Sequence, residues 1–174
     1  MIDMRMSVER PEEGEIHRLF EEYGEPVIRA FSFDYHERDE KEDYPKCKGG
    51  CRVLIRREGG TILISHGPAD GFHLPGGRIW ERETVEEGAI REAREETGLD
   101  VELKEMPELH KCQYLFKNWN LERWEFIFIA RCVGGSLKPL DRSEIHQAAT
   151  FETPPPEYDD IRWFQTVWKR ATKY

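Results

Sequence analysis

The sequence predicts an α+β fold, a mixed sheet layered with helices. Two observations carry this. Short apolar runs rich in β-branched and aromatic residues recur on both sides of one Glu/Arg-rich helical segment, and an amphipathic segment closes the chain. A length of 174 residues is enough for one domain with a buried core.

Each element has a local warrant. Residues 12–23 read as a short helix and residues 27–35 as a strand, followed by a charged run at 37–43 expected as a solvated loop. Residues 51–56 and 61–65 read as a hairpin about Gly59-Gly60. A helix over residues 84–97 can be capped by Thr84, carries Glu86 and Glu87 in its first turn, and meets Gly98 where a left-handed residue would end it. Its Val85, Ala89 and Ala93, with Ile90 beside them, give a narrow apolar stripe suited to close packing on a sheet. Runs at 101–105, 109–116 and 123–132 supply further strands. After the Pro154-Pro155-Pro156 break, residues 159–172 place Ile161, Phe164, Val167 and Trp168 on one helical side.

Composition excludes several function classes. With 35 acidic against 26 basic residues the formal charge is −9, which disfavours non-specific binding to nucleic acid or to an anionic membrane. No stretch approaches the roughly 18 apolar residues of a membrane span, and the N-terminal residues do not resemble a secretory signal, so a cytoplasmic location is expected. Cys47, Cys51, Cys112 and Cys132 read as reduced thiols; Cys47 and Cys51 stand at the loose end of zinc-ligand spacing.

The chemistry concentrates on the residue 84–97 helix. Glu92, Glu95 and Glu96 stand at i, i+3 and i+4 and share one face, where three carboxylates repel one another. A hard divalent cation with oxygen ligands relieves that repulsion, and magnesium suits carboxylates combined with substrate phosphates. The plainer alternative is a solvated face laced with pairs such as Glu87 and Arg91.

The larger string decides between them. Gly77, five residues, Glu83, seven residues, then Arg91-Glu92-Ala93-Arg94-Glu95-Glu96-Thr97-Gly98-Leu99 resembles a complete Nudix box, led in by Leu74-Pro75-Gly76-Gly77. Ala93 alone departs, being smaller than the family's usual aliphatic residue. The resemblance implies a Nudix-type α/β/α sandwich with a mixed central sheet over about residues 48–172. It implies a hydrolase domain at 46–174, with residues 1–45 an N-terminal extension packed on the core or used in a homodimer.

It further implies Mg2+, with Mn2+ as a substitute, held by Glu92, Glu95, Glu96 and the Gly76 carbonyl. Glu83 and Arg91 would pair to support the site. Glu95, Glu96 and Glu144 would carry catalysis, Glu144 coming from an acidic loop where Asp141 and Glu152 are its alternatives. The implied reaction is hydrolysis of a phosphoanhydride in a nucleoside diphosphate linked to another moiety: a nucleotide, a nucleotide sugar or a dinucleoside polyphosphate. A catalytically silent nucleotide sensor of the same fold is the alternative, and retention of all three carboxylates speaks against it.

Substrate contacts are expected from Arg56, Arg78, Phe72 and Tyr114, with Arg52, Arg57, His73, Phe116 and Trp119 as further candidates. Position 115 is Leu where ADP-ribose pyrophosphatases often carry proline. Tyr114 comes near the tyrosine that marks dinucleoside polyphosphate hydrolases, and reads equally as a core aromatic. No cysteine lies between Cys51 and Cys112, which argues against the isomerases that share the fold.

Overall fold

The computed structural model describes residues 5–37 and 46–174; the charged run expected as a loop, apart from Glu37, lies outside the described residues. In order the elements are β1 (Arg5–Glu9), α1 (Glu13–Tyr23), β2 (Val27–Tyr35), β3 (Cys47–Arg57), β4 (Gly60–Ser65) and β5 (Arg78–Trp80). Then follow α2 (Val85–Thr97), β6 (Leu99–Phe116), β7 (Trp119–Gly135), β8 (Gln147–Phe151), a single 3-10 turn at Pro156–Tyr158 and α3 (Arg162–Ala171).

Among the described residues the strands form one mixed sheet in the order β2-β6-β7-β3-β4-β8, with β1 added to β7 and β5 to β3. β7 runs antiparallel to β6 and parallel to β3, so two inner apolar strands meet at the centre. Alternation along them sends side chains to opposite faces. Val53, Phe126 and Phe128 join Leu19 of α1 and Val85, Ala89 and Ala93 of α2 in one core. Leu54, Ile127 and Ile129 join Phe164, Val167 and Trp168 of α3 in the other. The result is an α/β/α sandwich, and no helix among the described residues is long and apolar enough to cross a membrane.

Several boundaries differ from the sequence reading for identifiable reasons. The hairpin turn sits one residue earlier than expected, on Glu58 (φ 50°) and Gly59 (φ 84°), a pair of left-handed residues that matches strand twist. Gly60 is already in β4, where a Cβ would stand 2.3 Å from the Thr150 side chain of β8. The runs 101–105 and 109–116 are one strand, β6, interrupted by register shifts around Lys104 and Met106-Pro107. Pro107 cannot donate to a ladder and is tolerated at such a bulge. On α2 the stripe is buried as expected, while Ile90 remains 40% exposed. The closing helix starts at Arg162, preceded by the 3-10 turn that follows the proline run.

Phe128 is fully buried beneath α1, with its ring edge-on to Tyr23 at 5.6 Å. Phe128→Ala should lower unfolding stability by about 3–5 kcal/mol in urea titration, through lost burial and the cavity left behind.

Candidate active site

The site is built where the loop before β5 presses against β3. Cys51 N–H donates to the Gly77 carbonyl at 2.9 Å and Val53 N–H to the Pro75 carbonyl at 2.8 Å. Gly76 has φ 153°, and a Cβ there would meet the Cys51 carbonyl at 2.1 Å, so the contact requires glycine. A Cβ on Gly77 would stand 2.7 Å from the Glu92 carboxyl carbon. These two glycines let α2 bring carboxylates onto bare backbone: Gly76 N–H donates to Glu96 Oε2 at 2.6 Å.

α2 holds its register by local chemistry. Thr84 accepts from Glu87 N–H, and Glu87 accepts from Thr84 N–H, a reciprocal cap that occupies the glutamate the sequence offered to Arg91. Arg91 reaches elsewhere. Its Nη2 donates to Glu83 Oε1 and to the Arg78 carbonyl, both at 2.8 Å. Its Nη1 donates to Glu92 Oε1 at 2.7 Å and to Glu95 Oε2 at 3.0 Å. The planar fork thereby ties α2 to β5 and to the loop ahead of the helix. Gly88 permits this closeness, since a Cβ there would come within 3.1 Å of Ile79 and Glu83.

The carboxylates sit in unequal environments. Glu96 is 5% exposed. Burial pushes it up to about 7, the Gly76 N–H and Arg52 opposing while the Glu92 and Glu144 charges add to the rise. Burial also raises Glu92, against the pull of Arg91. Glu95 is more open, and Glu144 is an exposed loop residue within electrostatic reach of Glu96. Among the described residues no three His, Cys, Asp or Glu side chains already converge as a metal cage, and Arg91 engages both Glu92 and Glu95. The donors are nevertheless all oxygen, and a buried carboxylate held by one backbone N–H retains unused lone pairs. By donor chemistry they fit a hard divalent cation.

On the α3 side of the same end of the sheet lies a cavity of about 490 Å3, walled by Phe31, Phe33, Tyr114, Trp163 and Phe164. Arg52 connects the two regions: its Nη1 donates to the Gly76 carbonyl at 3.2 Å and its Nε lies 3.7 Å from Glu125 Oε2. Glu125 also lines the cavity and accepts from the Tyr114 hydroxyl at 3.3 Å.

Of the substrate contacts expected from sequence, Tyr114 is in this wall. Phe72 is not in it: its ring packs on Phe151 at 4.8 Å, and only its carbonyl meets the cavity-lining Tyr158, accepting from that hydroxyl. Arg78 lies on β5 beside the Arg91 fork. Arg56 is not brought there: it is 6% exposed and donates to Thr61 Oγ1 and the Gly59 carbonyl at the far hairpin end. Glu125 and Trp163 were missed; the alternation around Phe126 and Phe128 was the available signal for Glu125. Cys47, Cys51, Cys112 and Cys132 carry free thiols, Cys51 within the apolar core.

Two outcomes follow from these contacts. Arg91→Met strips partners from three carboxylates and should cost about 1–3 kcal/mol in denaturant unfolding. His73 lines the cavity, and burial, with the Arg52 charge and His66 nearby, pushes it down to about 4. A histidine neutral in the fold but with an ordinary value near 6.5 when unfolded makes stability fall as pH drops from about 6.5 toward 4. His73→Phe should flatten that part of a stability-versus-pH curve measured by urea midpoints.

Known proteins share this fold. The Bacillus subtilis (strain 168) protein YtkD, named as an 8-oxo-dGTP diphosphatase, is 31% identical over 103 residues, covering 59% of this chain. The chain spans 57% of that relative's length. Among solved structures, an ADP-ribose pyrophosphatase from Streptococcus suis 89-1591 aligns with TM-score 0.52 and 21% identity, over 72% of this chain and 91% of its own. A NUDIX hydrolase from Nitrosomonas europaea aligns with TM-score 0.52 and 24% identity, over 75% of this chain and 72% of its own. These likenesses concern the fold. The family model described as the NUDIX domain matches residues 48–166, spanning the glycine loop, the Arg91 fork and the carboxylate helix, and the chain belongs to that family.

Proposed function

We propose that this chain is a divalent-metal-dependent pyrophosphohydrolase that cuts a phosphoanhydride in a nucleoside diphosphate linked to a further nucleotide, sugar or phosphate moiety. The observation that carries the reading is the buried Glu96, seated on Gly76 N–H and close to the charge of Glu92. Relatives named as a diphosphatase and a pyrophosphatase support the same bond class.

In this reading Glu92, Glu95, Glu96 and the Gly76 carbonyl hold Mg2+ or Mn2+. When bound, the cation offsets phosphate charge and lowers the pKa of attacking water. Glu83 and Arg91 keep the helix in register, and the Arg91 fork orients Glu92 and Glu95, the carboxylates that would hold the cation. Glu96 and Glu144 are the carboxylates that would receive a proton in this reading, Glu144 from the loop between β7 and β8 and within electrostatic reach of Glu96. Arg52 offers a guanidinium to the diphosphate between the cavity and the carboxylates.

The test is phosphate release from nucleoside triphosphates, nucleotide sugars, ADP-ribose and dinucleoside polyphosphates with Mg2+ or Mn2+. Glu96→Gln preserves shape and should lower kcat by about 10²-fold or more. Glu144→Gln should cost less, and chelation by EDTA should abolish turnover reversibly. Full activity in Glu96→Gln would refute the ligand set, and nucleotide binding without turnover across the panel would favour the sensor.

A further inference from the structure

We propose that Glu125 selects the substrate ring, accepting two adjacent N–H donors from a guanine-type edge of a nucleobase seated in the aromatic cavity. This rests on the cavity being the base-binding part of the site proposed above.

The cavity has the size and walls for a planar ring. Its volume of about 490 Å3 falls within the roughly 300–1,000 Å3 usual for small-molecule sites. Phe31, Phe33 and Tyr114 line it from the strands and Trp163 and Phe164 from α3; Phe33 stacks on Tyr114 and the buried Phe164 on Tyr158, so the wall is a pre-packed aromatic surface against which a heterocycle can lie. Among the described residues that line it, Glu125 is the one acidic side chain. The strand register fixes its direction: Glu125 pairs across the ladder with His110, so both face the α3 side.

The chemistry of that carboxylate narrows the occupant. An ionised carboxylate only accepts, with about four lone-pair directions over its two oxygens. Here Oε1 takes the Tyr114 hydroxyl and Oε2 faces Arg52 at 3.7 Å, which leaves one direction on each oxygen for a ligand. A ring with two neighbouring N–H donors matches both. Guanine presents its ring N1–H beside the exocyclic amine. Adenine and cytosine place an acceptor nitrogen beside their amine, and uracil flanks one N–H with two carbonyls, so each would set a lone pair against the carboxylate. A cationic ligand is disfavoured by the Arg52 guanidinium beside Glu125. Arg52 also donates to the Gly76 carbonyl, so a base on Glu125 would direct its phosphates over Arg52 toward Glu96.

Calorimetric Kd values for GMP, IMP and AMP on the intact protein test this without turnover, since none contains a phosphoanhydride. GMP should bind at least about tenfold more tightly than AMP, with IMP, which keeps N1–H but lacks the amine, in between. Glu125→Gln offers one donor and one acceptor, the match for adenine, and should narrow or invert the GMP-to-AMP ratio. Equal affinities, failure of all three to bind, or an unchanged ratio in Glu125→Gln would overturn the assignment. The phosphate-release screen judges the hydrolase reading separately, so base selection can fail while hydrolysis stands, and the reverse.

Discussion

The arrangement at the carboxylate helix depends on one guanidinium. Arg91 contacts Glu83, Glu92, Glu95 and the Arg78 carbonyl at 2.7–3.0 Å through its Nη atoms, joining α2 to β5 and the intervening loop. Lysine is no substitute, because a point ammonium cannot present parallel N–H groups to several fixed acceptors at once. The same residue balances like charges in the resting fold. Both carboxylates accept from its Nη1, so its positive charge stands between the half-exposed Glu95 and the more buried Glu92.

That cross-link works only because backbone comes close on the other side. Gly76 and Gly77 lie against Cys51 of β3 and beneath Glu92, leaving no room for a Cβ. The sheet therefore sets the height of the loop, the loop sets the Gly76 N–H, and that N–H sets Glu96. Arg52, on the next residue of β3, carries the connection through to the opposite face, where Glu125 and the aromatic cavity lie. One strand thus serves both the polar and the apolar parts of the site.

The sequence made some of this legible and not the rest, for physical reasons. The helix over 84–97 and its cap and stop were readable because they rest on neighbours: Thr84 with Glu87, and Gly98 at φ 76° donating to the Arg94 carbonyl. β5 and β8 were not, being short and held by pairing with β3 and β4 and not by an apolar run of their own. The bulges around Met106-Pro107 broke the two-residue period of β6 and split one strand into two. Arg56 looked like a cleft residue because it stands near the box in the chain, yet pairing with Thr61 carries it to the hairpin end. Arg52 and Glu125 become partners only through the parallel register of β3 with β7, which no local pattern encodes.

The parallel pairings of the first strands have a consequence for how the chain acquires its shape. β1 lies on residues Trp119–Arg123 of β7, and β2 on Glu108–Phe116 of β6, so the earliest strands find their ladders only after the middle of the chain exists. Contacts of such sequence separation carry a large loop-closure entropy and slow the folding of a sheet. During synthesis the leading segments leave the ribosome before their partners. Val27, Ile28 and Val8, which remain exposed in the finished sheet, are then unpaired apolar groups, and that interval is when mispairing between chains competes with completion of the fold.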